Sequence, residues 1–300
     1  MPPDQTYHLA EASLAKQLYQ QSFDNERSRL EWHGQLAAAR NLIAKAMRDS
    51  GNLVHIKDAL KTDGRNMAVF RHLLAPPISQ DQFLLLNSDW KKASEGVGRT
   101  LDDETAASVA TTIGLWLDTA LISWLSDERV PTEREIDLVF ERAASLMAHS
   151  KLATTRRGKD SKQQEEAVEE LLLSIGWQKV VAAPIKTRAA LVEKTFARKV
   201  KFATRTSPQE VDIACGLNDD YLLALECKVS NDETNSIKRV NDVLKKAKAW
   251  KDHWGSFVIP AALLQGVYKH GDIKRLLDDG VEVFWSHNMS DLEAWLAVRS

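Results

Sequence analysis

Between Glu210 and Val229 the chain carries two apolar runs joined by five turn-forming residues, and nothing else in its 300 residues restricts the fold as tightly. Val211-Asp212-Ile213-Ala214-Cys215 and Tyr221-Leu222-Leu223-Ala224-Leu225-Glu226-Cys227-Lys228-Val229 read as β-strands, and Gly216-Leu217-Asn218-Asp219-Asp220 reads as the reversal between them. A hairpin centred on Asp219 sets opposite each other residues whose numbers sum to 438. Asp212 then faces Glu226, with the two side chains on one face about 5 Å apart. Lys228, two residues further on, shares that face. The same register sets Cys215 opposite Leu223 and Cys227 opposite Val211, so both thiols turn away from Asp212 and read as small buried apolar groups.

Three charged groups on strands that are otherwise apolar are costly unless something pairs with them. Two carboxylates alone repel and push one pKa upward. A hard divalent cation such as Mg²⁺ resolves the conflict, because it takes one or two carboxylates and keeps positions for substrate phosphate. The lysine can then orient or deprotonate the attacking water and stabilise charge on phosphorus. The competing reading is a Lys–Glu pair at the exposed end of a strand. Other acid-x-Lys triplets occur, at Asp89-Trp90-Lys91, Asp160-Ser161-Lys162 and Asp272-Ile273-Lys274, but only Glu226-Cys227-Lys228 ends an apolar strand with a partner carboxylate one hairpin away.

The rest of the chain frames this hairpin. Residues 8–23, 28–48 and 101–126 show helical spacing of apolar residues, and Thr132-Glu133-Arg134-Glu135 resembles a capping box that opens a helix through Ala148. The polar, basic stretch Ala153–Ser161 contains Gly158 and reads as the domain boundary, dividing a helical region 1–152, used for dimerisation or for clasping DNA, from a core 153–300. A helix over Lys162–Ile175 stops at Gly176. Strand-like runs at Ser256–Ile259 and Val281–Trp285 alternate with helical patterns at Asn235–Trp250, Asp272–Leu277 and Asp291–Val298, which describes a mixed sheet flanked by helices. The apolar stretch Thr105–Leu125 is interrupted by Asp118, so burial in a helical core is expected rather than a membrane span. Two cysteines make no disulfide framework and no zinc set. The opening residues lack the pattern of a secretory signal, and a cytoplasmic protein is expected.

A formal net charge of −2 looks unsuited to nucleic acid until it is divided. Residues 1–150 carry 16 Lys/Arg against 21 Asp/Glu, and residues 151–300 carry 24 against 21. Lys186, Arg188, Lys194, Arg198, Lys199, Lys201 and Arg205 stand against Glu193 alone in one short run. Phosphate backbones reward such clusters, although a solvated charged face fits this run equally well. After the lysine, Ser230, Asn231, Asn235, Ser236, Lys238, Arg239 and Asn241 crowd the end of a strand and the first turns of a helix, where side chains can meet phosphates and base edges. Their alternative is an ordinary helix cap. His287 reads more readily as an edge-strand residue than as a catalytic one, and Trp177, Trp250, Trp254, Trp285 and Trp295 as packing. Gly96-Val97-Gly98 lacks the third glycine of a dinucleotide loop.

Asp212 followed by Glu226-x-Lys228 is similar to the metal site of the PD-(D/E)xK nuclease superfamily, with Val211 where the name-giving proline would stand. Glu165-x-x-Val168-x-x-Leu171-Leu172-x-x-Ile175-Gly176-Trp177 resembles the helix that opens that core, and Glu165 occupies the place of its supporting acid. A narrower resemblance is carried by Asp212-Ile213-Ala214-Cys215-Gly216-Leu217, Leu225-Glu226-Cys227-Lys228-Val229-Ser230-Asn231, and Asn235-Ser236-x-Lys238-Arg239-x-Asn241, with Pro260 and Phe284-Trp285-x-His287. These look like type II restriction endonucleases of the XamI-like group. The resemblance implies an α/β restriction-endonuclease-like core and a homodimer that cuts double-stranded DNA with Mg²⁺, for which Mn²⁺ can substitute. It implies metal ligation by Asp212 and Glu226, catalysis by Lys228 with help from Glu165, and a companion methyltransferase protecting the host from its own phage defence. Two other functions stay open: a repair, junction-resolving or anti-phage nuclease without strict specificity, and a DNA-binding protein that keeps the fold without catalysis.

Overall fold

The computed structural model describes residues 4–300 and separates into two compact units. Residues 25–155 form one; the first helix, α1 (Gln5–Gln21), joins residues 156–300 in the other.

The unit 25–155 is helical. It holds α2 (Asn25–Asp49), α3 (Ile56–Thr62), α4 (Asn66–His72), α5 (Gln80–Leu86), α6 (Asp103–Trp116), α7 (Ser123–Ser126) and the opening turns of α8 (Glu133–Ser174). Local chemistry places their ends. Asp102 caps α6 by accepting from the Thr105 N–H at 2.8 Å, and Ser79 and Gln82 form a reciprocal box at the start of α5. Thr132 and Glu135 do the same for α8, as expected. Asp118 ends the apolar stretch 105–125 as one helix: it accepts from the Ala120 and Leu121 amides and from Arg142 at 2.8 Å. Among the described residues no helix is long and apolar enough to cross a membrane. Ile43, Leu60, Phe70, Trp90, Val109 and Trp124 lie in one buried cluster.

Helix α8 runs unbroken through the stretch where a boundary was expected. A single glycine costs a helix only about 1 kcal/mol relative to alanine, and the good helix formers around Gly158 outweigh it. The division into units falls within this stretch, between residues 155 and 156 rather than at 152/153, and α1 groups with the C-terminal residues. Its Ala12 and Ala15 pack with Val240, Val243 and Ile273 of the C-terminal residues.

The second unit is a six-stranded mixed sheet in sequential order: β1 (Gln178–Lys179), β2 (Thr195–Phe202), β3 (Gln209–Gly216), β4 (Leu222–Ser230), β5 (Val258–Gly266) and β6 (Glu282–Trp285). Strands β2, β3 and β4 are antiparallel, and β4, β5 and β6 are parallel. The parallel steps are made by α9 (Glu233–Trp254) and α10 (His270–Asp278), and α11 (Ser290–Ala297) closes the chain. One face of the sheet buries Ile213, Cys215, Leu223, Leu225 and Cys227 against Val168 and Leu172 of α8 and Leu292 and Leu296 of α11. The other buries Ala214, Leu222 and Ala224 against Trp250 of α9, and Ala262 and Leu264 against Val240 and Leu276. The tryptophans expected to pack do so: Trp177, Trp250, Trp254, Trp285 and Trp295 all lie in these clusters.

Candidate active site

The β3–β4 hairpin forms in the expected register. Ile213 pairs with Leu225 and Cys215 with Leu223, and the turn places Asp219 and Asp220 in the left-handed region that aspartate tolerates (φ 52° and 58°). The ladder pairs end at Ile213–Leu225. Just beyond, Asp212 Oδ2 accepts from the Cys227 N–H at 2.9 Å, so a side chain replaces the ladder between Glu226 and Lys228.

The expected pairing of Val211 with Cys227 does not form, and the neighbouring strand explains why. Ala197 and Val200 of β2 lie in the same buried cluster, as do Ala214 and Val211 of β3. Residues three apart cannot share a face under regular alternation, so both strands switch faces in between. The switch lies at Lys199, whose φ is +50°, and at Asp212 opposite it, the one position skipped in the β2–β3 pairing. It turns Lys199 toward α8, where its Nζ donates to Glu165 Oε1 at 2.6 Å and also to Asp212 Oδ1.

Glu226 is fully buried. Lys228 and Lys246 both donate to its Oε2, at 2.6 and 2.8 Å, and its Oε1 is buried with no hydrogen-bond partner among the described residues. Lys228 also reaches Asp242 Oδ2 at 2.9 Å. Arg198 joins Glu165 at 3.1 Å and Glu169 beyond it. These contacts form two ion-paired groups, Glu165 with Arg198, Lys199 and Asp212, and Glu226 with Lys228, Lys246 and Asp242, linked by the Asp212 bond to the Cys227 N–H. Burial pushes the Glu226 carboxyl up, against the opposing pull of Lys228. For Lys228 burial acts downward, but the charge and hydrogen bond of Glu226 outweigh it and the net shift is upward, which keeps the group an ammonium. Lys199 follows the same balance, with Asp212 and Glu165 prevailing over burial.

As placed, these carboxylates turn toward lysines, and among the described residues no three acid, histidine or cysteine side chains are grouped to hold an ion. The donor chemistry nevertheless fits a hard cation. The Asp212 carboxylate is fixed to the backbone N–H that follows Glu226, although Asp212 and Glu226 do not form the expected cross-strand pair. One buried oxygen of Glu226 lacks any donor among the described residues.

The chain matches the model of the XamI restriction endonuclease family over residues 51–285. It belongs to that family. Among curated relatives it is similar to the type II restriction enzyme XamI of Xanthomonas campestris pv. amaranthicola, 31% identical over 196 residues that cover 65% of this chain and 70% of the relative. It is also similar to the type II restriction enzyme SalI of Streptomyces albus G, 21% identical over 84% of this chain and 85% of the relative. A solved structure, protein VC1899 from Vibrio cholerae, matches at 11% identity with a TM-score of 0.31, over 89% of this chain and 57% of that chain. The span matched to the XamI restriction endonuclease family contains Glu165, Lys199, Asp212, Glu226, Lys228 and Lys246.

In this member of the XamI restriction endonuclease family the seven candidate DNA-contacting residues separate. Ser230 and Ser236 are buried, Ser230 donating to Asp232 O at 2.9 Å and Ser236 to Asp272 Oδ2 at 2.5 Å. They hold the entry to α9 and its packing on α10, which removes both from the surface where DNA would be met. Asn235 is exposed but bonds its own cap residue Asp232. Asn241 accepts from Arg275 at 2.7 Å, and Arg239 donates to Val229 O at 3.2 Å. Lys238 is exposed and Asn231 half-buried. His287 pairs with Glu11 of α1 at 2.8 Å.

Sequence reasoning missed Lys199, Lys246 and Asp242. Strand β2 was hidden because Arg198, Lys199 and Lys201 read as part of a basic run, although Phe196, Val200 and Phe202 carry a strand's apolar content. Lys246, in a run with Lys245, Lys248 and Lys251, reads in sequence as part of a solvated basic face. The signal was there: Asp242 and Lys246 are four apart and share a helix face.

Proposed function

We propose that this chain is a type II restriction endonuclease that hydrolyses phosphodiester bonds of double-stranded DNA at a short specific site, with Mg²⁺ as cofactor and Mn²⁺ able to substitute. Family membership supports the nuclease class. The observation that carries the catalytic reading is the strand break at which Asp212 meets the backbone between Glu226 and Lys228, beside an undonated buried oxygen of Glu226.

In this reading Asp212 and Glu226 hold the ion, and Glu165, bridged to Asp212 by Lys199 in the ion-free chain, supports the site. When bound, a divalent ion supplies positive charge that polarises a phosphate oxygen and neutralises charge developing there. Lys228 works as an ammonium, donating to the attacking water or to a phosphate oxygen, rather than as a base. Its upward-shifted pKa favours that role. Buried carboxylates and a water-poor wall strengthen each of these contacts. Lys238, Lys201 and the cations flanking β2 supply phosphate contacts, the chain works as a homodimer on a palindromic site, and a companion methyltransferase protects the host DNA.

The test is incubation of purified protein with a sequenced plasmid and Mg²⁺, followed by sequencing of the ends. Discrete fragments with a common end sequence, 5′ phosphates and 3′ hydroxyls are expected. A smear of random ends would remove the site specificity, and intact DNA under every divalent ion tried would remove the activity.

A further inference from the structure

The charges around the candidate site cancel without a bound ion. Glu165, Glu169, Asp212, Glu226 and Asp242 are met by Lys179, Arg198, Lys199, Lys228 and Lys246, each within ion-pair distance of a partner. A divalent ion brought to Asp212 and Glu226 adds two positive charges to this balanced and partly buried cluster. Like charges at such range oppose one another strongly away from bulk water. One resident cation has to give way.

The geometry singles out which. Lys228 and Lys246 are enclosed, with side chains 11% and 17% exposed, and both hold Glu226. Arg198 is anchored by two carboxylates, Glu165 and Glu169. Lys199 differs in two ways, its exposure and its backbone. Its side chain is 45% exposed, so its ammonium can reach water by bond rotation alone. Like Lys228 and Lys246 it holds a proposed ligand, here Asp212. Its backbone sits at φ +50° where the strands switch faces, a conformation that a lysine adopts only when its surroundings impose it.

We propose that Lys199 is a built-in competitor of the divalent cation. It bridges Asp212 and Glu165 while the ion is absent, and its ammonium moves out to solvent when the ion takes Asp212. The bridge keeps two neighbouring carboxylates from repelling each other in the free protein. It also raises the ion concentration at which the site fills. This inference rests on the metal reading given above.

The experiment measures Mn²⁺ binding to the full-length protein without DNA, by electron paramagnetic resonance of the free ion, at fixed pH and salt. Wild type, Lys199→Met and Asp212→Asn are compared. Lys199→Met is expected to bind Mn²⁺ more tightly, on the order of tenfold, within the usual span of coupling between linked sites. Its thermal midpoint is expected to rise more steeply with Mn²⁺ than that of the wild type, because ion binding restores a lost counter-charge. Should Lys199→Met fail to fold, Lys199→Gln removes the charge while keeping a donor, and the same direction is expected. Binding by the Lys199 variant that equals or falls below that of the wild type overturns the proposal. Absence of binding in both proteins, or wild-type binding that Asp212→Asn leaves unchanged, overturns the metal reading itself and takes this inference with it.

Discussion

The Asp212 carboxylate accepts a hydrogen bond from the backbone N–H of Cys227, 2.9 Å away, and Cys227 stands between Glu226 and Lys228 in β4. The carboxylate of the first acid is thus pinned to the main chain between the two groups that follow. Such support is what holds a reactive constellation to within a fraction of an ångström.

That contact makes Asp212→Asn a clean test. The amide oxygen still accepts from Cys227 while the charge is gone, so folding should survive and cleavage should not. Single-turnover cleavage of supercoiled plasmid in Mg²⁺ should fall on the order of a thousandfold for Asp212→Asn and for Lys228→Met, with the double variant losing little more, since groups acting as a unit are not additive. Chelation by EDTA should abolish cleavage in the wild type and excess Mg²⁺ should restore it. A loss under tenfold in either variant would contradict the assigned roles.

Ser236 and Lys238 lie two residues apart on α9 and should respond differently. Ser236 is buried and donates to Asp272, so Ser236→Ala should lower unfolding free energy by about 1–3 kcal/mol, the cost of leaving a buried acceptor short of a donor, without altering the cleaved sequence. Lys238 is exposed. Lys238→Ala should weaken DNA binding uniformly across sequences and reduce the slope of log affinity against log salt by about one. Urea melts and fluorescence anisotropy at several salt concentrations separate these outcomes.

Two glycines make opposite predictions. A Cβ at Gly158 would meet nothing within 4 Å, in the middle of α8, so Gly158→Ala should stabilise the protein by about 0.5–1 kcal/mol. A Cβ at Gly266 would lie 2.2 Å from Ser230 O, on a backbone at φ +92°. Gly266→Ala must therefore pry β5 from the end of β4, and a lowered thermal midpoint with loss of cleavage is expected. A neutral Gly266→Ala would refute the close approach of the two strands.

Within residues 25–155, Asp63 is held at about 2, chiefly by the Arg65 side chain and further by the Arg65 amide and Lys45, against the opposing effect of burial. A carboxylate whose folded pKa is depressed contributes stability that is complete above its unfolded value, roughly 3.9, and is lost as pH falls toward the folded value. Asp63→Asn should thus cost about 1–2 kcal/mol near neutrality, discounted for the exposed Arg65, and the difference from wild type should shrink between pH 4 and 2. Urea midpoints measured across that range test the sign.

Much of the site was legible because a hairpin is local. Turn formers at 216–220 and alternation on either side dictate the register by themselves, so the Ile213–Leu225 and Cys215–Leu223 pairs followed from counting residues. The helix caps at Thr132 and the stop at Gly176 were legible for the same reason: their partners lie within a few positions. Glu165 was reached only through resemblance, since its closeness to Asp212 depends on how α8 lies across the sheet.

The amino-acid sequence alone determined the mixed α/β character, the hairpin and the order of acid, acid and lysine along it, because those depend on periodicity and neighbours. The tertiary structure alone decided which cations answer the carboxylates, why Ser230 and Ser236 are buried, and that α1 packs beside α9 and α10. Those facts turn on contacts between residues dozens to hundreds apart, and on a strand that switches faces at Lys199. Only the folded chain brings such groups together, since their sequence distances carry no periodic signal.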